Sequence, residues 1–179
     1  MTNFPQIGPD WTLFLDRDGV INERIFDSYI LDWSAFRFTE GLLANAAKIG
    51  AAFARIIVVT NQQCIAKGLL VQDQLDEIHQ HMCNELQKAG LTVDLVLVAT
   101  EFKNGLPKRR KPNSSMAYEA QALFPSIDFQ KSIMVGDTNT DIQFGKRLGM
   151  KTILIESKEI VKEIPDLRLA NLSELSRYL

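Results

Sequence analysis

Five short apolar runs punctuate this chain: Thr12–Leu15, Ile56–Thr60, Leu95–Ala99, Ile133–Val135 and Thr152–Ile155. Most are rich in β-branched residues and none alternates apolar with polar, the pattern of strands covered on both faces. Helical patterns lie between them. Residues 41–49 are apolar and Ala-rich, with Gly50 as the expected stop. In residues 72–89, Leu75, Ile78, Met82, Leu86 and Ala89 fall on one helical stripe that Gly90 ends. Residues 114–124 and 139–148 supply two more helices, the last closed by Gly149. Strands alternating with helices predict right-handed crossovers and an α/β fold: a Rossmann-like parallel sheet with helices on both faces. Beyond Glu156 the tail is charged, with room for a short terminal helix.

In such sheets, sites form beyond the carboxyl ends of the strands. Asp16, Thr60 and Asp137 each stand at or just past the end of an apolar run, so the predicted topology gathers them on one edge. A helix and a strand use much of the chain between Asp16 and Thr60, and again between Thr60 and Lys111. Neither gap leaves room for a large cap domain. Residues 1–179 therefore read as a single domain with an open site, and loops 22–38, 62–71 and 101–110 carry specificity.

Length and composition agree with that picture. The chain has 179 residues, enough for a sizeable core in one domain. Its 46% apolar and 23% charged content is that of a soluble globular protein. The net charge of −2 argues against a general nucleic-acid binder. Two cysteines, Cys64 and Cys83, make neither a disulfide framework nor a Cys-rich metal pattern. The polar stretch Met1–Trp11 lacks the features of a signal peptide, and no apolar run approaches the roughly 20 residues that span a bilayer. A cytoplasmic monomer without membrane or nucleic-acid partners is expected.

The chemistry begins at Leu13-Phe14-Leu15-Asp16-Arg17-Asp18-Gly19. In an extended strand residues i and i+2 face the same way, so Asp16 and Asp18 can share a site while Arg17 points elsewhere. Paired carboxylates suit a hard cation such as Mg²⁺ and can supply a nucleophile and an acid. Thr60 and the amides after it, in Val59-Thr60-Asn61-Gln62, offer donors to an anionic oxygen. In Arg109-Arg110-Lys111-Pro112, the proline disfavours helix at Lys111 and leaves it in a loop, a movable charge for a phosphate. Arg110 beside it can grip one bidentately. Finally, Gly136-Asp137-Thr138-Asn139-Thr140-Asp141 ends a strand in an acid and opens a helix. Asp137 can ligate a cation; Asp141 either serves the helix dipole or turns back on a ligand or Lys111.

Together these elements suit phosphomonoester hydrolysis. A carboxylate approaching a phosphate dianion meets repulsion of about 4 kcal/mol per like-charged pair at ~4 Å and an effective dielectric near 20. A divalent cation and a lysine offset it. Asp16 is then the nucleophile that becomes an aspartyl phosphate, Asp16 and Asp137 hold Mg²⁺, and Thr60 and Lys111 bind the phosphoryl oxygens.

With these four elements in order, the chain resembles the haloacid dehalogenase superfamily of phosphohydrolases. Within it, DRDGVIN, VVTNQ, IAKG, RRKP and MVGDTNTD are similar to the group of heptose-bisphosphate and histidinol phosphatases. The resemblance implies that Asp18 is the acid/base and that its backbone carbonyl is a further Mg²⁺ ligand. It also implies that Asn61, Gln62 and Gln63 line the substrate site, that Arg110 recognises substrate, and that Asp27, Ser28 and Tyr29 form a substrate loop. Residues 65–68 and the Tyr29 region favour a small phosphorylated metabolite such as D-glycero-D-manno-heptose bisphosphate; histidinol phosphate is the alternative, and a nucleic-acid 3′-phosphate a more distant one. The group carries a zinc loop of three cysteines and a histidine just before the Arg-Lys pair. Here Ala99–Arg109 has neither residue type, so no zinc is expected. A receiver-like phosphate-accepting module fits less well, because its acceptor Asp lies mid-chain and its Lys comes last. A non-catalytic relic would not keep all four elements.

Other features read as structure. His79, His81 and Cys83 are expected to pack at a helix surface or rim, Cys64 to be an incidental buried thiol, and Trp11 and Trp33 to be packing residues.

Overall fold

The computed structural model describes residues 4–179; Met1–Asn3, part of the polar stretch read for targeting, lie outside the described residues. All of the predicted strands form. They are β1 (Thr12–Leu15), β2 (Arg55–Asn61), β3 (Leu95–Ala99), β4 (Ser132–Gly136) and β5 (Lys151–Ile155), joined by a short β6 (Leu167–Leu169). Every pairing is parallel and the order is β3-β2-β1-β4-β5-β6. The helices are α1 (Leu42–Ala52), α2 (Gln72–Lys88), α3 (Ser115–Leu123) and α4 (Asn139–Arg147). The tail adds a 3₁₀ turn over Leu172–Tyr178.

Strand alternation divides the interior in two. Leu13, Leu15, Ile56, Val58, Ile133 and Val135 face the layer of α1, α2 and the 3₁₀ tail. Phe14, Ile57, Val59 and Met134 face α3 and α4. The helical stripe predicted for α2 supplies Leu75, Ile78, Met82 and Leu86 to the first layer. No helix among the described residues is long and apolar enough to cross a membrane.

Two expectations need correction. Gly50 does not stop α1, which runs on to Ala52. Its place is a close approach: a Cβ there would strike the carbonyl oxygen of Gly90, at the turn that ends α2. The sixth strand was not foreseen. Its three residues read Leu167-Arg168-Leu169, too short for a period to register.

Candidate active site

The strand order decides where polar groups meet. β1 is flanked by β2 on one side and β4 on the other, so the carboxyl ends of these three strands adjoin at the centre of the sheet. The chain runs outward from β1 through β2 to β3, then crosses back to place β4 on the other side of β1, which makes the end of β1 the crevice of an open α/β sheet. Asp16 follows β1, Thr60 is the next-to-last residue of β2, and Asp137 follows β4. All three are buried.

Lys111 joins them from the loop before α3. Its ammonium lies 2.9 Å from Asp16 Oδ1 and 2.7 Å from Asp141 Oδ1, and the side chain is almost wholly inaccessible. Asp141 plays both roles considered for it. Its Oδ2 accepts from the Thr138 N–H at 3.0 Å and the Thr138 hydroxyl at 2.6 Å, a cap on α4, while Oδ1 pairs with Lys111. Carboxylate oxygens of Asp16, Asp137 and Asp141 lie within 4.8 Å of one another. Burial first, and then this crowding, pushes Asp137 up to about 7. Burial also drives the rise of Asp16 to about 6, against the pull of Lys111. For Lys111, burial lowers the pKa, but the attraction of Asp141 and Asp16 wins and it rises above the ordinary range.

Arg24, which the sequence did not single out, donates to Asp137 Oδ2 at 2.9 Å and pairs with Glu159 at 3.0 Å. Asp137 Oδ1 is buried with no hydrogen-bond partner among the described residues. Gly19, with φ 86°, lets the chain pass so close that a Cβ would overlap the Asp137 carboxylate.

Arg17 does not point away. Strand geometry ends at Leu15, and the Arg17 carbonyl instead accepts from the N–H groups of Val20, Ile21 and Asn22, which curls the chain into a turn. The guanidinium folds back onto Asp18, with Nη2 2.8 and 2.9 Å from its two oxygens. Asn22 and Gln62 also donate to Asp18, at 3.0 and 2.7 Å. Burial alone would raise the Asp18 pKa; Arg17 and these donors reverse it and hold the carboxyl below its ordinary value. Beneath Arg17 lies His79, whose Nε2 is 3.1 Å from Nη1. His79 is buried, not at a surface or rim, and burial with the adjacent Arg17 lowers its pKa to about 3. The ring is therefore neutral and receives the guanidinium hydrogen.

Above this floor opens a cavity of about 470 Å³, with Asp16, Asp18 and Asp141 at its base. Its walls come from the three loops expected to carry specificity: Asp27, Ser28 and Tyr29 from the first, Gln63 from the second, Arg110 from the third. Gln63 interlocks them, donating to the Tyr29 hydroxyl at 3.1 Å and accepting from the Lys103 N–H at 2.6 Å. Asn61 lines the cavity too, and its side-chain oxygen accepts from the Lys111 N–H at 3.0 Å. Gln62, expected to line the site, is buried underneath, bridging Thr60 and Asp18. Arg24, Lys67 and Lys103 bring further positive charge to the walls. Cys64 is a buried free thiol raised by burial, and Trp33 stacks on Phe36 and His81.

Residues 108–168 match the HAD-hydrolase-like family model. A D-glycero-α-D-manno-heptose-1,7-bisphosphate 7-phosphatase of Mycobacterium tuberculosis is 32% identical over 136 residues, covering 76% of this chain and 72% of the relative. A D-glycero-β-D-manno-heptose-1,7-bisphosphate 7-phosphatase of Rhodopseudomonas palustris is 29% identical over 154 residues, covering 82% and 84%. Among solved structures, a D,D-heptose 1,7-bisphosphate phosphatase from B. bronchiseptica, in complex with magnesium and phosphate, superposes with a TM-score of 0.79 at 22% identity over 93% and 96% of the two chains. The chain belongs to the HAD-like hydrolases, in their phosphatase branch.

Proposed function

We propose that this phosphatase acts through an aspartyl phosphate, with Mg²⁺, on a small sugar carrying two phosphate groups, of the heptose 1,7-bisphosphate kind. The observation that carries the mechanism is the buried juxtaposition of Asp16, Lys111 and Asp137 at the ends of β1 and β4. A carboxylate nucleophile needs positive charge at the transferring phosphoryl group, and Lys111 stands on Asp16 itself.

The residues fit a hard divalent cation. All the clustered donors are oxygens, and Asp137 Oδ1 is buried with a lone pair to offer. Asp16, Asp137 and the backbone carbonyl of Asp18 would hold it. When bound, Mg²⁺ supplies charge that neutralises the phosphoryl oxygens.

Asp16 forms a bond to phosphorus while the bond from phosphorus to the sugar oxygen breaks. Asp18, which takes up a proton from solvent as the substrate binds, gives it to that oxygen. The Arg17 and Gln62 contacts keep Asp18 ionised in the resting site, and the arriving dianion raises its proton affinity. In the second half, Asp18 takes a proton from water, water oxygen bonds to phosphorus, and the Asp16 oxygen leaves with its electron pair. Thr60 and Lys111 bind the phosphoryl oxygens in both halves.

The cavity is of ligand size, and Lys67, Lys103 and Arg110 in its walls suit a second anionic group. Histidinol phosphate, with its cationic amine, would meet these charges unfavourably. The same reading takes residues 1–179 as one domain working as a cytoplasmic monomer.

The test is turnover of heptose 1,7-bisphosphate, histidinol phosphate and para-nitrophenyl phosphate with added Mg²⁺. The bisphosphate should have the highest kcat/KM. Asp16→Asn should lower kcat at least about a thousandfold with circular dichroism unchanged. A well-folded variant keeping a tenth of the activity would sink the covalent scheme.

A further inference from the structure

In the group this chain resembles, zinc shapes the loop before the Arg-Lys pair. Residues 99–109 offer a zinc ion neither thiolate nor imidazole, so that donor set does not fit. What stands there instead is a carboxylate. Glu101 Oε1 accepts from the backbone N–H of Lys108 at 2.9 Å, and Oε2 accepts from those of Arg109 and Arg110, each at 2.9 Å. Three successive N–H groups converge on one side chain. The Lys108 N–H first, and the other two after it, hold the Glu101 carboxyl below its ordinary value. Ionised acceptors make hydrogen bonds roughly twice as strong as neutral ones.

The three residues gathered or adjoining here have separate anchors. Arg109 is clamped by Glu119 and by the Val98 carbonyl. Lys111 is held through its N–H by Asn61 and through its ammonium by Asp16 and Asp141. Arg110 is held at its N–H by Glu101 and at its carbonyl by the Asn113 N–H at 3.0 Å, both on the backbone. Yet Arg110 lines the cavity, and its Nη1 is buried without a hydrogen-bond partner among the described residues. A buried donor in that state is costly, and an anion delivered to the cavity relieves it.

We propose that Glu101 is a positioning residue that shapes this loop in place of a metal: its carboxylate closes residues 102–107 onto the 108–110 backbone and so aims Arg110 at the substrate's second, non-reacting phosphate. The choice of target rests on the sugar-bisphosphate reading above; the loop closure does not.

Two measurements test it. The first is steady-state kinetics of Glu101→Ala and Glu101→Gln with Mg²⁺. For heptose 1,7-bisphosphate, E101A should raise KM about tenfold, ~1.4 kcal/mol, with kcat within about twofold. For para-nitrophenyl phosphate, which has no second phosphate, both constants should stay within about twofold of wild type. E101Q keeps one accepting oxygen but turns an N–H towards a donor, and should fall between. In an Arg110→Ala background, E101A should add little to the KM for the bisphosphate, because a positioning residue acts through the group it positions. Full additivity, or equal losses on both substrates, overturns the proposal. The second measurement needs no substrate: amide exchange at residues 108–110 should speed up in E101A while Lys111 stays protected. Unchanged exchange overturns the proposal. A wild-type enzyme that ignores the bisphosphate overturns the substrate reading alone, and exchange then decides the role of Glu101. One zinc ion bound per wild-type chain would also overturn it.

Discussion

Replacing Lys111 with methionine asks whether charge holds the floor of the cavity together. Each of its two ion pairs, at 2.9 and 2.7 Å, represents about 6 kcal/mol of gross attraction at an effective dielectric near 20. Burial of the three charges consumes much of that. Methionine fills the same space but leaves Asp16, Asp137 and Asp141 within 4.8 Å of one another without the ammonium between them. Breaking a buried pair from one side costs about 3–5 kcal/mol.

The pH dependence sharpens the test. In the wild type the raised Lys111 pKa means its contribution is fully present below the ordinary lysine value and is lost only at higher pH. In the variant the carboxylates respond by keeping protons. Asp16 and Asp137 already stand near 6 and 7 with Lys111 in place. An aspartate with a raised folded pKa binds more protons folded than unfolded, so its stability contribution falls as pH rises across that window. The penalty of K111M should therefore be about 3–5 kcal/mol near pH 8 and much smaller near pH 5. Urea unfolding in the presence of a chelator, for both proteins at both pH values, measures it. Added Mg²⁺ should restore part of the loss near pH 8. A penalty below about 1 kcal/mol there, or one of equal size at both pH values, would refute the charge argument.

Two further outcomes follow from the same groups. His79→Leu removes the acceptor beneath a buried Arg17 N–H and should cost about 1–3 kcal/mol by urea unfolding at neutral pH. Because native His79 stays neutral down to about 3 while the unfolded residue charges near 6.5, that penalty should shrink as pH falls through the window; a penalty growing in acid contradicts it. Mg²⁺ affinity, followed by calorimetry in buffers of different ionisation enthalpy, should rise with pH between about 6 and 7 and release protons as Asp16 and Asp137 give them up. Affinity that is flat across that range counts against a site built on these two carboxylates.

The sheet was legible because its strands are buried on both faces and so read as unbroken apolar runs. Their order could not be read, and it matters for the site: any parallel arrangement brings the ends of β1, β2 and β4 to the same edge, but they adjoin because β1 lies between the other two. Residues at strand ends were placed by that rule. Those missed act one layer further out. His79 carried a readable signal, four residues after Leu75 and three before Met82, on the apolar stripe of α2. A polar residue on a buried stripe must find a partner, and that partner is Arg17. Arg17 itself was misplaced by extending strand alternation past Leu15, where a turn had already begun. Arg24 and Glu101 gave no local signal, since each meets its partner through a loop whose course only tertiary packing decides.

The charge count at the base of the cavity explains why these outer residues are needed. Asp16, Asp18, Asp137 and Asp141 face Lys111, Arg17 and Arg24, so the resting site is one positive charge short. That shortfall is eased because Asp137, raised to about 7, retains part of its proton near neutrality, and Asp16, raised to about 6, does so only below it. A phosphate dianion entering such a site would make the imbalance worse by two charges. On the proposed mechanism, a divalent cation would restore the resting difference and favour loss of the remaining protons from Asp16, the proposed nucleophile, and Asp137, the proposed ligand. Arg24 then has a second consequence. It donates to one oxygen of Asp137 and pairs with Glu159, and on the proposed mechanism the unpaired Oδ1 would be the oxygen that Asp137 offers to a cation. Arg24 on Asp137, with Lys111 on Asp16 and Asp141, thus sets positive charge against the three carboxylates that fold within 4.8 Å of one another.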